Sequence, residues 1–203
     1  PTPPFWGPQV IESIPLTEAL SFINEVMLFQ MQWQFKKRGR PQEEFDRFLD
    51  ETVRPIYRDL VARCEAEKIL EPKVIYGYWP CQSEGDSLII YDPRDRELEL
   101  TRFEFPRQPK EPWWCLSDFW RPKSTGQYDV IGMSVVTMGP HASEVAREWF
   151  KTGRYTDYLY LHGLSVEGAE SLAEWIHKKV RVELGIAGKD ASDLRKLFQQ
   201  GYQ

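Results

Sequence analysis

Glu170, Glu174, His177 and Arg181 follow one another at steps of four, three and four, which on a helix sets them along one face. Carboxylates in such a row attract cationic groups and accept hydrogen bonds from hydroxyls. The row reads either as one wall of a groove for a cationic or hydroxyl-rich ligand, or as a solvated, salt-bridged face. Near the start, Asn24 and Glu25 lie off the apolar stripe of Leu20, Ile23, Met27 and Met31, and point either into the same groove or into solvent. Glu174-x-x-His177 has the carboxylate–histidine spacing of helix-bundle metal sites, but such sites need a second copy and two further glutamates on facing helices. No metal site is therefore expected. Cys81 and His162 are the residues on which a Cys/His hydrolase would be built, although a small cysteine beside a strand is ordinarily core.

Other chemistries are excluded. No two glycines are separated by a single residue, so no dinucleotide-binding turn is present, and no G-x-x-x-x-G-K-[ST] P-loop occurs either. No Gly-x-Ser-x-Gly elbow accompanies His141, His162 and His177. The net charge of −5 argues against a sequence-independent phosphate binder, which needs a dominant basic face, so no nucleic-acid partner is expected. Cys64, Cys81 and Cys115 form no Cys-x-x-Cys pair and are read as reduced thiols of a reducing compartment. No apolar run approaches the ~18 residues of a membrane span, and the opening lacks a signal peptide's charged and apolar regions. A cytoplasmic protein is expected.

At 203 residues, with 41% hydrophobic and 28% charged side chains, one domain with its own core is the expectation. The Pro-rich opening predicts a non-helical arm, whose Phe5 and Trp6 need packing partners. Apolar residues recurring every three or four positions predict a first helix over 16–36. A second begins near Pro41, with Phe45, Phe48, Leu49, Val53, Ile56, Leu60 and Cys64 buried and a kink at Pro55. Strands are predicted at 74–79, 87–91, 98–105 and 130–136, the second and third pairing through the turn Asp92–Asp95. A long aromatic loop covers 106–128. Helices follow over 141–152 and 164–184, the latter burying Ala169, Leu172, Ala173, Ile176 and Val180, then a short one over 192–200 with Ser192 as N-cap. Helices, then strands, then helices predict an α+β fold: a single domain with a central twisted, largely antiparallel sheet flanked by long helices.

The stretch Val74-Ile75-Tyr76-Gly77-Tyr78-Trp79-Pro80-Cys81-Gln82-Ser83-Glu84-Gly85-Asp86-Ser87-Leu88 resembles the strand-turn-strand of the activation domain of cobalamin-dependent methionine synthases. The resemblance extends to Thr2-Pro3-Pro4-Phe5-Trp6-Gly7, to Leu116-Ser117-Asp118-Phe119 and to the helix Ala169-Glu170-Ser171-Leu172-Ala173-Glu174-Trp175-Ile176-His177. It implies a domain of a methyltransferase that binds S-adenosylmethionine and presents its methyl group to cobalamin after accidental oxidation. A flavodoxin-type partner then supplies one electron, and cobalamin is held by another domain of the same polypeptide. No residue of this chain is implied to be catalytic.

By the resemblance, Glu170 matches a ligand of S-adenosylmethionine directly. Glu25 matches a second acidic ligand through Trp33, and Asn24 takes that place if the register slips by one. His177 matches a family histidine whose implied role is structural support. The family's Arg-x-x-x-Gly-Tyr-x-Ala-Cys-Pro segment falls beyond Gln203. With the opening at Pro1, this implies a fragment of a longer protein that holds half of the groove and by itself is inactive and binds S-adenosylmethionine weakly or not at all. The alternative is a non-catalytic module that docks a corrinoid protein or its reductase. The basic clusters Lys36, Lys37, Arg38, Arg40 and Lys178, Lys179, Arg181 either meet such a partner or cap their helices.

Overall fold

The apolar period after Pro15 predicts one helix, and the chain breaks it. In the structure, a computed structural model that describes residues 1–197 and Tyr202, α1 (Leu16–Ala19) ends in a turn, and a π-helical segment, Met27–Gln32, follows. Asn24 caps the restart. Its Oδ1 accepts from the Met27 amide at 3.3 Å and its carbonyl from the Leu28 amide at 2.9 Å, the task Asn performs at helix starts. Phase is lost across the break. Leu28, Phe29 and Trp33 are buried, whereas Met27 and Met31, expected on the inner stripe, are exposed.

The second helix is continuous in three parts: α2 (Gln42–Phe48), a π-helical turn (Leu49–Val53) and α3 (Arg54–Ala66). Pro55 has no amide to donate and crowds the preceding turn, and where a kink was expected the structure places a π-helical turn just before it. α4 (His141–Lys151) lies where the period places it. α5 (Tyr155–Glu183) starts well before the expected residue 164, running through Gly163, a residue type that more often marks a helix boundary. Leu172 and Ile176 are buried, while Ala169, Ala173 and Val180 are half-buried.

The chain divides into two compact units. Val10–Val74 and Val135–His177 form a helical unit. Its buried residues include Leu28, Phe29, Val53, Leu161, Leu164, Leu172 and Ile176, with Phe29, Trp33, Tyr57 and Tyr160 packed ring against ring.

Pro1–Gln9, Ile75–Ser134 and the described residues from Lys178 onward form a sheet unit. Its strands are β1 (Gly7–Ile11), β2 (Lys73–Glu84), β3 (Ser87–Tyr91), β4 (Glu99–Glu104) and β5 (Asp129–Thr137). The order is β1-β2-β3-β4, with β5 also paired to β2. β2 and β3 are antiparallel about Gly85, whose φ of +60° suits the tight turn. β3 and β4 are antiparallel as expected, Leu88 opposite Phe103, with an irregularity at Ile90/Tyr91. The architecture is α+β with a largely antiparallel, curled sheet. The arm, expected only to be non-helical, contributes β1. Phe5 packs edge-on against Tyr76 and Tyr78, and Trp6 lies under the Arg96 guanidinium. Gly77 admits β1 because any Cβ there would overlap the Gly7 carbonyl.

The end of α5 is fixed from two sides. Tyr76 and Tyr78 donate to the Glu183 carboxylate at 3.2 and 2.6 Å, and Lys179 lies 2.8 Å away. Burial works to raise the Glu183 carboxyl, but these donors hold it below the usual range. Burial, then Glu183, pushes the Tyr76 hydroxyl up to about 12. Asp190, its side chain fully buried, accepts both Arg181 donors and the Lys178 ammonium. The basic cluster on α5 is thus engaged with Asp190 and Glu183. α6 (Leu194–Leu197) lies within the expected span and starts after Ser192, while Phe198, Gln199 and Gln200 of the expected helix lie outside the described residues. Among the described residues no helix is long and apolar enough to cross a membrane.

Within the aromatic loop, Arg107 bridges Asp86 in the β2–β3 turn and both oxygens of Asp118, and also donates to the Trp113 carbonyl. These bonds from Arg107, with the Cys115 amide, lower the Asp118 carboxyl to about 2. An unfolded aspartate titrates near 3.9, so the folded state binds fewer protons between those values. The stabilisation is complete above about pH 4 and is lost as pH falls through about 2. Because the pair is exposed, salt weakens it. The expected outcome is an acid-side loss of stability in that window, in urea melts, that Asp118→Asn flattens; an unchanged profile contradicts the bridge.

Candidate functional site

The break after α1 strands two backbone groups. The Ala19 carbonyl loses its helical donor and the Phe22 amide its acceptor, and a single hydroxyl serves both. Ser171 Oγ donates to Ala19 O at 2.7 Å and accepts from Phe22 N at 3.1 Å. Ser171 is 1% exposed, so no water replaces it there.

Further bonds extend this seam between α5 and the segment 16–33. Trp175 Nε1 donates to Glu18 at 3.1 Å, Gln32 Nε2 to Glu167 at 3.1 Å, and Trp33 Nε1 to the Tyr160 carbonyl at 3.0 Å. The partners run in opposite chain directions, so α5 is antiparallel to the segment. Close approach depends on Gly163, where a Cβ would stand 2.8 Å from Gln32 Cβ and 2.9 Å from Trp33 Cδ1. The seam places Glu170, beside Ser171, on the helix that faces the stretch carrying Glu25.

The two carboxylates differ. Glu170 is exposed and makes no side-chain hydrogen bond or ion pair among the described residues. Glu25 is held in a two-point pair with Arg54, Nε to Oε1 at 3.2 Å and Nη2 to Oε2 at 2.6 Å. Arg54 also pairs with Asp50, and its guanidinium titrates above its usual range, chiefly because of the Glu25 bond. Each Glu25 oxygen keeps a free lone pair, and the side chain is 40% exposed. Burial, then Glu25, pushes the Tyr57 hydroxyl up to about 12. Asn24 engages its side-chain oxygen in the cap described above.

The rest of the expected row is not a uniform wall. Glu174 and His177 lie 3.8 Å apart on the α5 surface, and Arg181 belongs to the Asp190 clamp. Among the described residues no three His, Cys, Asp or Glu side chains are placed to hold a metal ion. Cys81 is fully buried against Leu88 and Ile90, and burial pushes its thiol up to about 12, as it does that of Cys64. A nucleophilic thiolate is not available there.

Sequence reasoning missed Arg54, the partner of Glu25, and Glu167, a carboxylate only 6% exposed. A signal for the seam existed in Gly163, Gly168 and Ser171, small residues recurring on one helix.

The comparisons with known proteins agree over nearly the whole chain. Residues 15–203 match the family model described as vitamin B12 dependent methionine synthase, activation domain. Methionine synthases of Mycobacterium tuberculosis and Mycobacterium leprae are each 32% identical over the full chain. The chain spans 18% of the length of these curated relatives. A crystal structure of the MetH reactivation domain bound to AdoHcy superposes with a TM-score of 0.84 at 25% identity, covering all of this chain and 64% of that one.

Replacing Ser171 by Ala leaves a buried carbonyl and a buried amide unsatisfied, at about 1–3 kcal/mol each, and should lower stability by several kcal/mol, read as a fall in the urea midpoint at constant slope. In the native protein, Cys64 and Cys81 should resist a thiol reagent at pH 8 and react only after unfolding; rapid native labelling contradicts the burial.

The chain belongs to the family of vitamin B12-dependent methionine synthase activation domains.

Proposed function

We propose that the chain is the reactivation module of a cobalamin-dependent methionine synthase, binding S-adenosylmethionine for methyl transfer to cobalamin reduced after accidental oxidation. The observation that carries this reading is the family match over residues 15–203, joined to the full-length likeness to a reactivation domain solved with AdoHcy. AdoHcy is what S-adenosylmethionine becomes once its methyl group has left. The docking-only alternative is not favoured, since the likeness reaches a domain that holds such a ligand.

The residues present fit the donor. Its ribose hydroxyls and ammonium need acceptors with negative charge. Glu170, exposed and unpaired among the described residues, can take either directly. Glu25 accepts through its remaining lone pairs, with Arg54 fixing its rotamer and partly offsetting its charge. The α5 seam holds the two carboxylates' segments in register, which supports a site positioned before the ligand arrives. The reacting partners bring the chemistry: the sulfonium makes the methyl electrophilic and reduced cobalt is the nucleophile. The chain's task is to orient and to supply electrostatics. Cobalamin, homocysteine and folate would be held by other parts of the polypeptide, with a flavodoxin-type donor supplying the electron. Three free, buried cysteines accord with a cytoplasmic setting.

In the parent polypeptide, Glu170→Gln removes a charge-assisted acceptor and should weaken S-adenosylmethionine binding about tenfold or more. Glu25→Gln should weaken it less, because Arg54 already engages that carboxylate. Calorimetric titration reads both. Unchanged affinity in both variants would overturn the assignment of these carboxylates, and absence of binding by the parent itself would overturn the function.

A further inference from the structure

Where α4 meets the first turns of α5, Ser143, Ala146, Arg147, Phe150, Tyr158 and His162 line an open pocket of about 270 Å³. Every one of these residues belongs to the helical unit, and neither Glu25 nor Glu170 is among them.

Three features point to a ligand. Arg147 is exposed and makes no ion pair or side-chain hydrogen bond among the described residues, although the other arginines of this region, Arg63 and Arg154, are engaged with Glu67, Asp157 and the Trp149 ring. The wall is aromatic and layered: Phe150 meets Tyr158 edge-on at 5.2 Å, and Tyr158 stacks on His162 at 5.7 Å with their planes 14° apart. Phe150 nevertheless stays 56% exposed, which leaves ring surface uncovered. The hydroxyl of Ser143 and the ring nitrogens of His162 are likewise unengaged among the described residues, adding polar groups at the rim.

An aromatic wall with one unpaired guanidinium recognises a flat ring by stacking and an anion by charge-assisted hydrogen bonds. The volume lies just below the roughly 300–1,000 Å³ of drug-sized sites, so it takes one small ring system and a single anionic group, not a dinucleotide. We propose that this pocket binds a small planar aromatic ligand bearing one carboxylate or phosphate. A nucleoside monophosphate and an aromatic acid share that chemistry.

The test is amide chemical-shift mapping of the protein titrated with AMP and, separately, with 4-hydroxybenzoate. Saturable shifts confined to Ser143, Arg147, Phe150, Tyr158, His162 and their neighbours are expected with at least one probe, and which probe acts distinguishes the sources. Arg147→Gln, an exposed substitution, should weaken that binding about tenfold or more, and Phe150→Ala should weaken it while leaving the fold intact. No saturable shift with either probe overturns the proposal, as does binding indifferent to both substitutions. AMP shifts that map to the residues around Glu25 and Glu170 instead mean adenosine recognition at the proposed methyl-donor site, and also overturn it.

Discussion

A single buried hydroxyl holds the helical unit in register. The chain between Ala19 and Phe22 leaves the helix, and elsewhere in a protein interior two unsatisfied backbone groups would carry a penalty of several kcal/mol. Ser171 removes that penalty from across the unit, donating to one group and accepting from the other. Because the bond partners are fixed atoms of two backbones, the contact sets register as well as stability. Glu170 precedes that serine in sequence, and Glu25 follows the stranded amide by three residues, so the placement of both carboxylates is inherited from this one interaction.

Around that point the unit is built for closeness. Gly163 and Gly168 leave room for Gln32, Trp33, Leu20 and Met138 to reach the α5 backbone, and rings from both sides fill the remaining space. The electrostatics are graded along the same helix. Glu167 is buried and bonded to a neutral amide, Glu170 is exposed and unpaired among the described residues, and Glu174 pairs with His177. One helix therefore supplies a structural carboxylate, an available one and a surface pair within three turns. In the sheet unit the same division holds. Asp190, Glu183 and Asp118 are each tied to cations or hydroxyls of their own unit, and serve architecture.

Much of this was legible in the sequence where local chemistry decides structure. Ser87–Tyr91 is an apolar, β-branched run between turn residues, and it is a strand with those bounds. The irregular turn before Pro55 was legible from its missing amide. What could not be read was whatever depends on distant partners. The break in the first helix is stabilised by a residue 149 positions away, so the apolar period ran straight through it and misassigned Met27 and Met31. Glu170 was singled out by its helical position and by resemblance, whereas the pairing of Glu25 with Arg54 joins separate elements and leaves no periodic trace. The early start of α5 was hidden because Gly163 serves packing there, not termination.

The central claim is that Glu25 and Glu170 belong to one site for the methyl donor, held in place by the α5 seam. The most direct measurement is a crystal structure of the parent polypeptide with AdoHcy. The account predicts the ligand beside α5, with ribose or ammonium donors within hydrogen-bond distance of the Glu170 carboxylate and the Glu25–Arg54 pair retained at the other side. A ligand bound away from both carboxylates, with the seam unchanged, would contradict it.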